Sequence, residues 1–184
     1  GAVNPRHGDA VSFLEISERV GAVNARNKAD MDYHLARLRW EKRNLAAVLE
    51  VIGGLVAKDF PWRIVVRPHP AENIEHWREG LGDVPGVAVI REGDHRAWGL
   101  AARLLVHSSS TTGLEAFLLG ASPLSLCVDD SPWNGFFTSN LVNRVLTDSE
   151  MAIDVIRAAA DGCADHSEGR RIYEENLVDH LLTD

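Results

Sequence analysis

The chain of 184 residues is short of several things, and each shortage removes a class of function. It has two cysteines, Cys127 and Cys163, far apart and without metal-ligand spacing, which could pair only if the fold brought them together. Cys127 lies in the apolar run Pro123-Leu124-Ser125-Leu126-Cys127-Val128 and is expected to be a buried thiol in a reducing, cytosolic setting. No apolar stretch approaches the roughly 20 residues of a membrane span, and no signal peptide is recognisable. Positive charge is in deficit: 19 Lys and Arg against 27 Asp and Glu leave a net charge of −8, which argues against a general nucleic-acid binder. There is no Gly-x-Gly-x-x-Gly after a strand and no P-loop, so dinucleotide and nucleoside-triphosphate chemistry lack their phosphate cradle. A Gly-x-Ser-x-Gly elbow is missing too. No metal is expected. The chain opens Gly1-Ala2-Val3-Asn4-Pro5-Arg6 without an initiator Met, and is read as a piece of a longer protein.

What is present is an ordinary globular composition, 45% apolar and 25% charged, enough for one compact α/β domain over residues 1–184. Val11–Ser17 is expected to be a short strand leading into a polar loop, Glu18–Asn27. From Asp30 to Lys58 the period becomes helical, with Leu35, Leu38, Leu45, Val48, Leu49, Ile52 and Val56 on one stripe. Arg37, Arg39, Lys42 and Arg43 lie largely off it as a solvated face, and Gly53-Gly54 weakens the helix and suggests a kink. Strands are then expected at Trp62–Arg67, Val87–Ile90, Leu104–His107 and Leu124–Val128. The intervening helices are Asn73–Leu81, Ala97–Ala102 and Leu114–Leu119. Asp129–Asn140 is irregular, and two helices, Asp148–Ala160 and Glu168–Leu182, close the chain. Such alternation predicts parallel β-α units, hence an open Rossmann-like parallel sheet with helices on both faces. Ligands bind such sheets outside the carboxyl ends of the strands, where this sequence places its polar clusters.

The first cluster is Arg67-Pro68-His69-Pro70-Ala71-Glu72-Asn73. Prolines on both sides stiffen the backbone around His69, a donor to phosphate oxygens, and Arg67 offers a planar fork for phosphate or carboxylate. The plainer reading is a rigid turn with an exposed His. The second is His107-Ser108-Ser109-Ser110-Thr111-Thr112-Gly113, between a strand and a helix. One hydroxyl suffices to cap the helix; the others, with the amides at its start, would make an anion site. Glu115 either favours the helix dipole or accepts two hydroxyls of a ribose diol, and His107 reads as a strand-end side chain. A weaker cluster, Ser17, Arg19, Gly21 and Asn24, follows the first expected strand. Trp133, Asn134, Phe136 and Phe137 either stack on a base or sugar or pack under their loop; packing is the reading preferred.

These motifs, with Trp77, Leu114-Glu115-Ala116 and Gly120, resemble bacterial surface-carbohydrate biosynthesis proteins. Those look like glycosyltransferases with two Rossmann-like halves (the GT-B arrangement), related to Kdo transferases and sialyltransferases. Asn4-Pro5-Arg6 with Asp9 is similar to the start of the second half of such proteins, and Phe13–Asn24 to its first strand and loop, though the Thr-Asn-Phe run typical of many relatives is missing from Glu15–Val20. The resemblance implies a donor-nucleotide-binding half that takes a CMP-linked sugar such as CMP-Kdo and needs no cofactor. His69 and Ser109–Thr111, with Ser108 and Thr112 beside them, would hold the phosphate. Glu115 would take the ribose, and Arg67 the phosphate or the sugar's carboxylate. Ser17, Arg19, Glu72 and Asn73 would be donor or acceptor contacts. The implied partners are a nucleotide-sugar donor, a glycan or glycolipid acceptor and a missing N-terminal Rossmann-like half, with no nucleic acid. The catalytic acidic residue of such enzymes lies in that other half, so no catalytic residue is named. The implied compartment is cytoplasmic, with peripheral contact to the inner face of the membrane as an open alternative. A nucleotide-sugar epimerase or CDP-polyol phosphotransferase half-domain, and a non-catalytic scaffold domain, are the competing readings.

Overall fold

The computed structural model describes residues 10–163 apart from 25, 71, 129 and 130. The expected helix Glu168–Leu182 and the segment Asn4–Asp9 lie outside the described residues. The elements are α1 (Ala10–Arg19), α2 (Lys28–Ala57), β1 (Ile64–Val66), α3 (Ile74–Leu81), β2 (Val87–Val89), α4 (His95–Ala101), β3 (Val106–His107), α5 (Thr111–Leu118), β4 (Leu124–Leu126), α6 (Thr138–Val142), β5 (Arg144–Leu146) and α7 (Ser149–Ala158). A 3-10 turn, Pro132–Phe136, precedes α6, and a π turn, Ala159–Cys163, follows α7.

All strand pairing among the described residues is parallel, in two short ladders rather than one continuous sheet: β1 with β2, and β3–β4–β5. The α/β class and the parallel strands are as expected. Several further expectations change. Val11–Ser17 is not a strand but the body of α1; among the described residues no strand pairs with it, and an unpaired strand would leave its backbone groups to solvent where a helix satisfies them internally. β5 was not expected, because Arg144-Val145-Leu146 is too short to show a period and becomes a strand only through its register with Leu124, Ser125 and Leu126. Helix α5 begins at Thr111 rather than Leu114, so two of the hydroxyl residues lie inside it.

Asn27 starts α2 by accepting from the N–H groups of Ala29 and Asp30. The helix then runs through Gly53 and Gly54 without interruption to Ala57. Its buried stripe serves two cores. Ala47, Val51 and Leu55 meet Leu124, Leu126, Leu146, Ala152, Ile153 and Ile156, while Ile52 meets Val66 and Trp77. Val48 of α2 and Ile64 of β1 pack against both, which joins the two ladders through one helix. At 30 residues α2 is roughly 45 Å long, against roughly 10 Å for a three-residue strand. The stripe therefore continues well beyond the sheet, and there it becomes mixed: Leu38, Trp40, Glu41 and Asn44 are its buried residues.

At Gly54, α2 lies close against Ile153 of α7. A Cβ there would stand 2.3 Å from Ile153 Cδ1, the end of a flexible side chain. Alanine favours a helix over glycine by about 1 kcal/mol, whereas overpacking costs about 1–3 kcal/mol. Gly54→Ala should therefore destabilise the fold modestly, and become neutral or stabilising in an Ile153→Val background. Urea unfolding of the four proteins in that cycle measures the coupling; strict additivity would show that the two helices do not meet at Gly54.

Candidate functional site

The turn after β1 is built by its own polar groups. Glu72 is buried, its Oε2 accepting from the Trp77 indole at 2.8 Å and from His69 N–H at 3.2 Å, while Glu72 N–H closes the turn on the His69 carbonyl. Burial pushes the Glu72 carboxyl above the usual carboxylate range, against the hydrogen bonds from Trp77 and His69. Arg91 donates to the Glu72 carbonyl. His69 and Pro70 are exposed on the outside of the turn. Asn73 caps α3 by accepting from Glu75 N–H at 3.0 Å. Arg67 spends three donors on backbone carbonyls at the exit of β2, those of Glu92 (2.6 Å), Gly93 (2.8 Å) and Arg91 (3.2 Å), and lies over the Trp98 ring of α4.

The five hydroxyls after β3 separate into different surroundings. Ser110 is the cap, accepting from Thr112 N–H, while its own N–H donates to His107 Nδ1 and its carbonyl accepts from Gly113 N–H. Ser109 adopts φ 50° and is buried, with Oγ 3.0 Å from Cys127 Sγ and accepting from Asn140 Nδ2 at 3.1 Å. Asn140 extends this network to the Ser125 hydroxyl and to the Asn134 carbonyl, and Asn134 Oδ1 accepts from the Trp40 indole of α2. Cys127 is the buried thiol expected. Thr111 is exposed at the first position of α5, Ser108 is half-buried, and Thr112 lines a small groove between α4 and α5. Glu115 faces that groove, its Oε2 2.7 Å from His95 Nε2. The two motif turns are thus linked through α4: Arg67 lies over Trp98, and His95 on the same helix reaches Glu115.

His107 is a packing residue, as its strand-end position suggested. The ring is buried and its pKa is pushed down to about 4 by desolvation. Ser110 N–H donates to Nδ1 at 3.3 Å, and the side-chain amide of Asn143 lies 3.0 Å from Nε2. Gly113 leaves room for that ring, since a Cβ there would lie 2.0 Å from Nε2.

No protein-family model, curated protein or solved structure matches the chain.

Ser17 and Arg19 lie in the last turn of α1, not at a strand exit. The Ser17 carbonyl accepts from Ala22 and Val23, and Arg19 is exposed. Asn24 holds the start of α2, its N–H donating to Asp30 Oδ2. The aromatic turn packs as preferred: Phe137 stacks on Trp40, and Trp133 packs against Tyr33, although Phe136 remains 61% exposed. Among the described residues no group of three or more His, Cys, Asp or Glu is placed to hold a metal ion, and no helix is long and apolar enough to cross a membrane.

Sequence reasoning missed Glu41, Asn44, His95 and Asn140. Glu41 and Asn44 carried a signal: both interrupt the stripe on which Leu38, Ala47 and Val51 are buried. His95 and Asn140 acquire their partners only by tertiary contact.

Two outcomes follow for stability. The folded His107 ring refuses a proton that the unfolded chain binds near pH 6.5, so its contribution is complete above that pH and is lost as pH falls toward about 4. The loss is about 3 kcal/mol at most. His107→Gln should flatten the slope of unfolding free energy against pH across this window, measured by urea denaturation; an unchanged slope would show that the ring titrates normally. Gly113→Ala should cost about 1–3 kcal/mol by overpacking, and a thermal melt matching the parent's would contradict the contact with His107.

Proposed function

We propose that the chain is the donor-nucleotide half of a glycosyltransferase that builds a bacterial surface polysaccharide, with a Rossmann-like fold and a CMP-linked sugar as donor. The observation that carries this reading is that the two motif turns each leave a parallel strand at its carboxyl end, after Val66 and after His107, and are tied together through α4. In parallel α/β sheets that edge is where ligands bind. His69, between two prolines, and Thr111, at the start of α5, are both exposed at the surface, where a phosphate would approach. A phosphate there would gain from the helix dipole and from a charge-assisted bond to the imidazole. The departing nucleotide phosphate would be stabilised electrostatically. The acceptor and the catalytic acidic residue would come with an N-terminal half.

A second reading has an observation of its own. Arg67, Ser109 and Glu115, three of the expected ligand contacts, already have internal partners in three backbone carbonyls, a buried thiol and amide, and His95. A scaffold domain that kept the fold and lost its ligand would use them in this way.

Calorimetric titration of the chain with CMP, CDP, UDP and GDP separates the two. CMP should bind preferentially, and His69→Ala should weaken it about tenfold, the loss of roughly one charge-assisted hydrogen bond. Preference for UDP or CDP would point to an epimerase or polyol phosphotransferase, and absence of all binding by a folded chain would favour the scaffold.

A further inference from the structure

His95 is the first residue of α4, and Glu115 lies in the middle of α5. Their side chains meet at 2.7 Å, Nε2 to Oε2, and are 48% and 42% exposed, so a ligand can reach both. A carboxylate only accepts, so the imidazole donates. The pair lines a groove between the two helices, together with Arg96 and Thr112. Gly99 and Ala116 are its buried lining residues, and a Cβ on Gly99 would stand 3.9 Å from that of Ala116. Small side chains on both helices therefore let α4 and α5 approach and bring His95 within reach of Glu115.

The start of α4 is fixed by its own contacts. Asp94 caps the helix, accepting from Arg96 N–H at 2.8 Å and from the Arg96 guanidinium at 2.7 and 3.1 Å, and its Oδ1 stands 3.7 Å from His95 Nδ1. One turn on, the Trp98 indole donates to the Glu92 carbonyl at 3.0 Å. From this base His95 holds Glu115 by Oε2 alone; Oε1 has no partner among the described residues. A long side chain loses rotamer freedom when it meets a ligand, and one already held by a neighbour loses less.

A carboxylate can accept from two hydroxyls together. An anion in the groove would be repelled by Glu115 and Asp94, and an ammonium group by Arg96; a neutral diol meets neither repulsion. Thr111 precedes Glu115 by four residues, which puts the two on one side of α5 with their Cβ atoms about 5–6 Å apart. A 5′-nucleotide carries its phosphate and its 2′,3′-diol on either side of one furanose ring, a comparable span. We propose that His95 is a positioning residue: by holding Glu115 it gives the site its preference for ribose over 2′-deoxyribose. The assignment rests on the nucleotide reading and adds to it a residue that neither motif contains. The His95–Glu115 contact is then compatible with a ligand, because it engages one carboxylate oxygen and leaves the other.

The test is calorimetric titration of the chain, His95→Ala and His95→Gln with CMP and with 2′-deoxy-CMP. The position is half exposed, so both variants should fold, which a thermal melt checks. The parent should bind CMP about fivefold or more tighter than 2′-deoxy-CMP, the worth of one hydrogen bond. His95→Ala should bring that ratio close to one by weakening CMP while leaving 2′-deoxy-CMP unchanged. His95→Gln, whose amide N–H can still donate to Glu115, should keep most of the preference. A general disturbance of the groove would instead weaken both nucleotides alike and leave the ratio intact. Equal binding of the two nucleotides by the parent, or a ratio that His95→Ala does not alter, overturns the role of His95 and leaves the nucleotide reading standing. Binding of neither nucleotide by the folded parent overturns both.

Discussion

The stripe of α2 is shared by both hydrophobic cores, and that sharing holds the remaining architecture in place. Val48 packs into each core, as does Ile64 of β1, so the two short parallel ladders are held against one helix although no strand pairing joins them among the described residues. Strands of two or three residues contribute few ladder hydrogen bonds, so burial of Leu124, Leu126 and Leu146 against Ala47, Val51 and Leu55 has to supply much of the cohesion. The close approach at Gly54 lets α7 lie near enough to complete that core.

Beyond the sheet the same stripe makes polar contacts with the segments that follow β4. Trp40 fixes the 3-10 turn through Asn134, Asn44 holds the chain just after β4, and Glu41 lies within the field of Glu72. From Asn134 the contacts continue through Asn140 to Ser109 and Cys127, so the turn after β3 is set by groups from β4, α6 and the aromatic turn. Such a network stays rigid only when every member is satisfied. Among the described residues the buried side-chain atoms without a protein partner are Asn44 Nδ2, Glu72 Oε1, Arg91 Nε and Asn143 Oδ1.

Much of the fold was legible. The helix around Leu38 to Val56, the strands near Val66 and Leu126, and the breaks at Pro68 and Gly120 follow from periodicity and backbone chemistry. The Val11–Ser17 segment misled because its apolar residues fit either period over so short a run, and β5 was invisible because pairing with β4 alone makes it a strand. Within the candidate site the two motif turns were legible as polar segments after strands. Their side-chain partners were not: Arg67 turns to the carbonyls of Arg91, Glu92 and Gly93, and Glu115 to His95, groups about 20 to 26 residues distant.

By itself the sequence determined the class of structure and the positions of its polar turns, because helix and strand periods, prolines and caps act over a few neighbouring residues. Tertiary structure alone decided which of those polar groups face inward. Five consecutive hydroxyls look alike along the chain; only packing makes Ser110 a cap, Ser109 a buried member of the Asn140 network and Thr111 an exposed group. The reason is physical: whether a polar atom is satisfied depends on atoms that approach from other elements, and no local rule carries that distance.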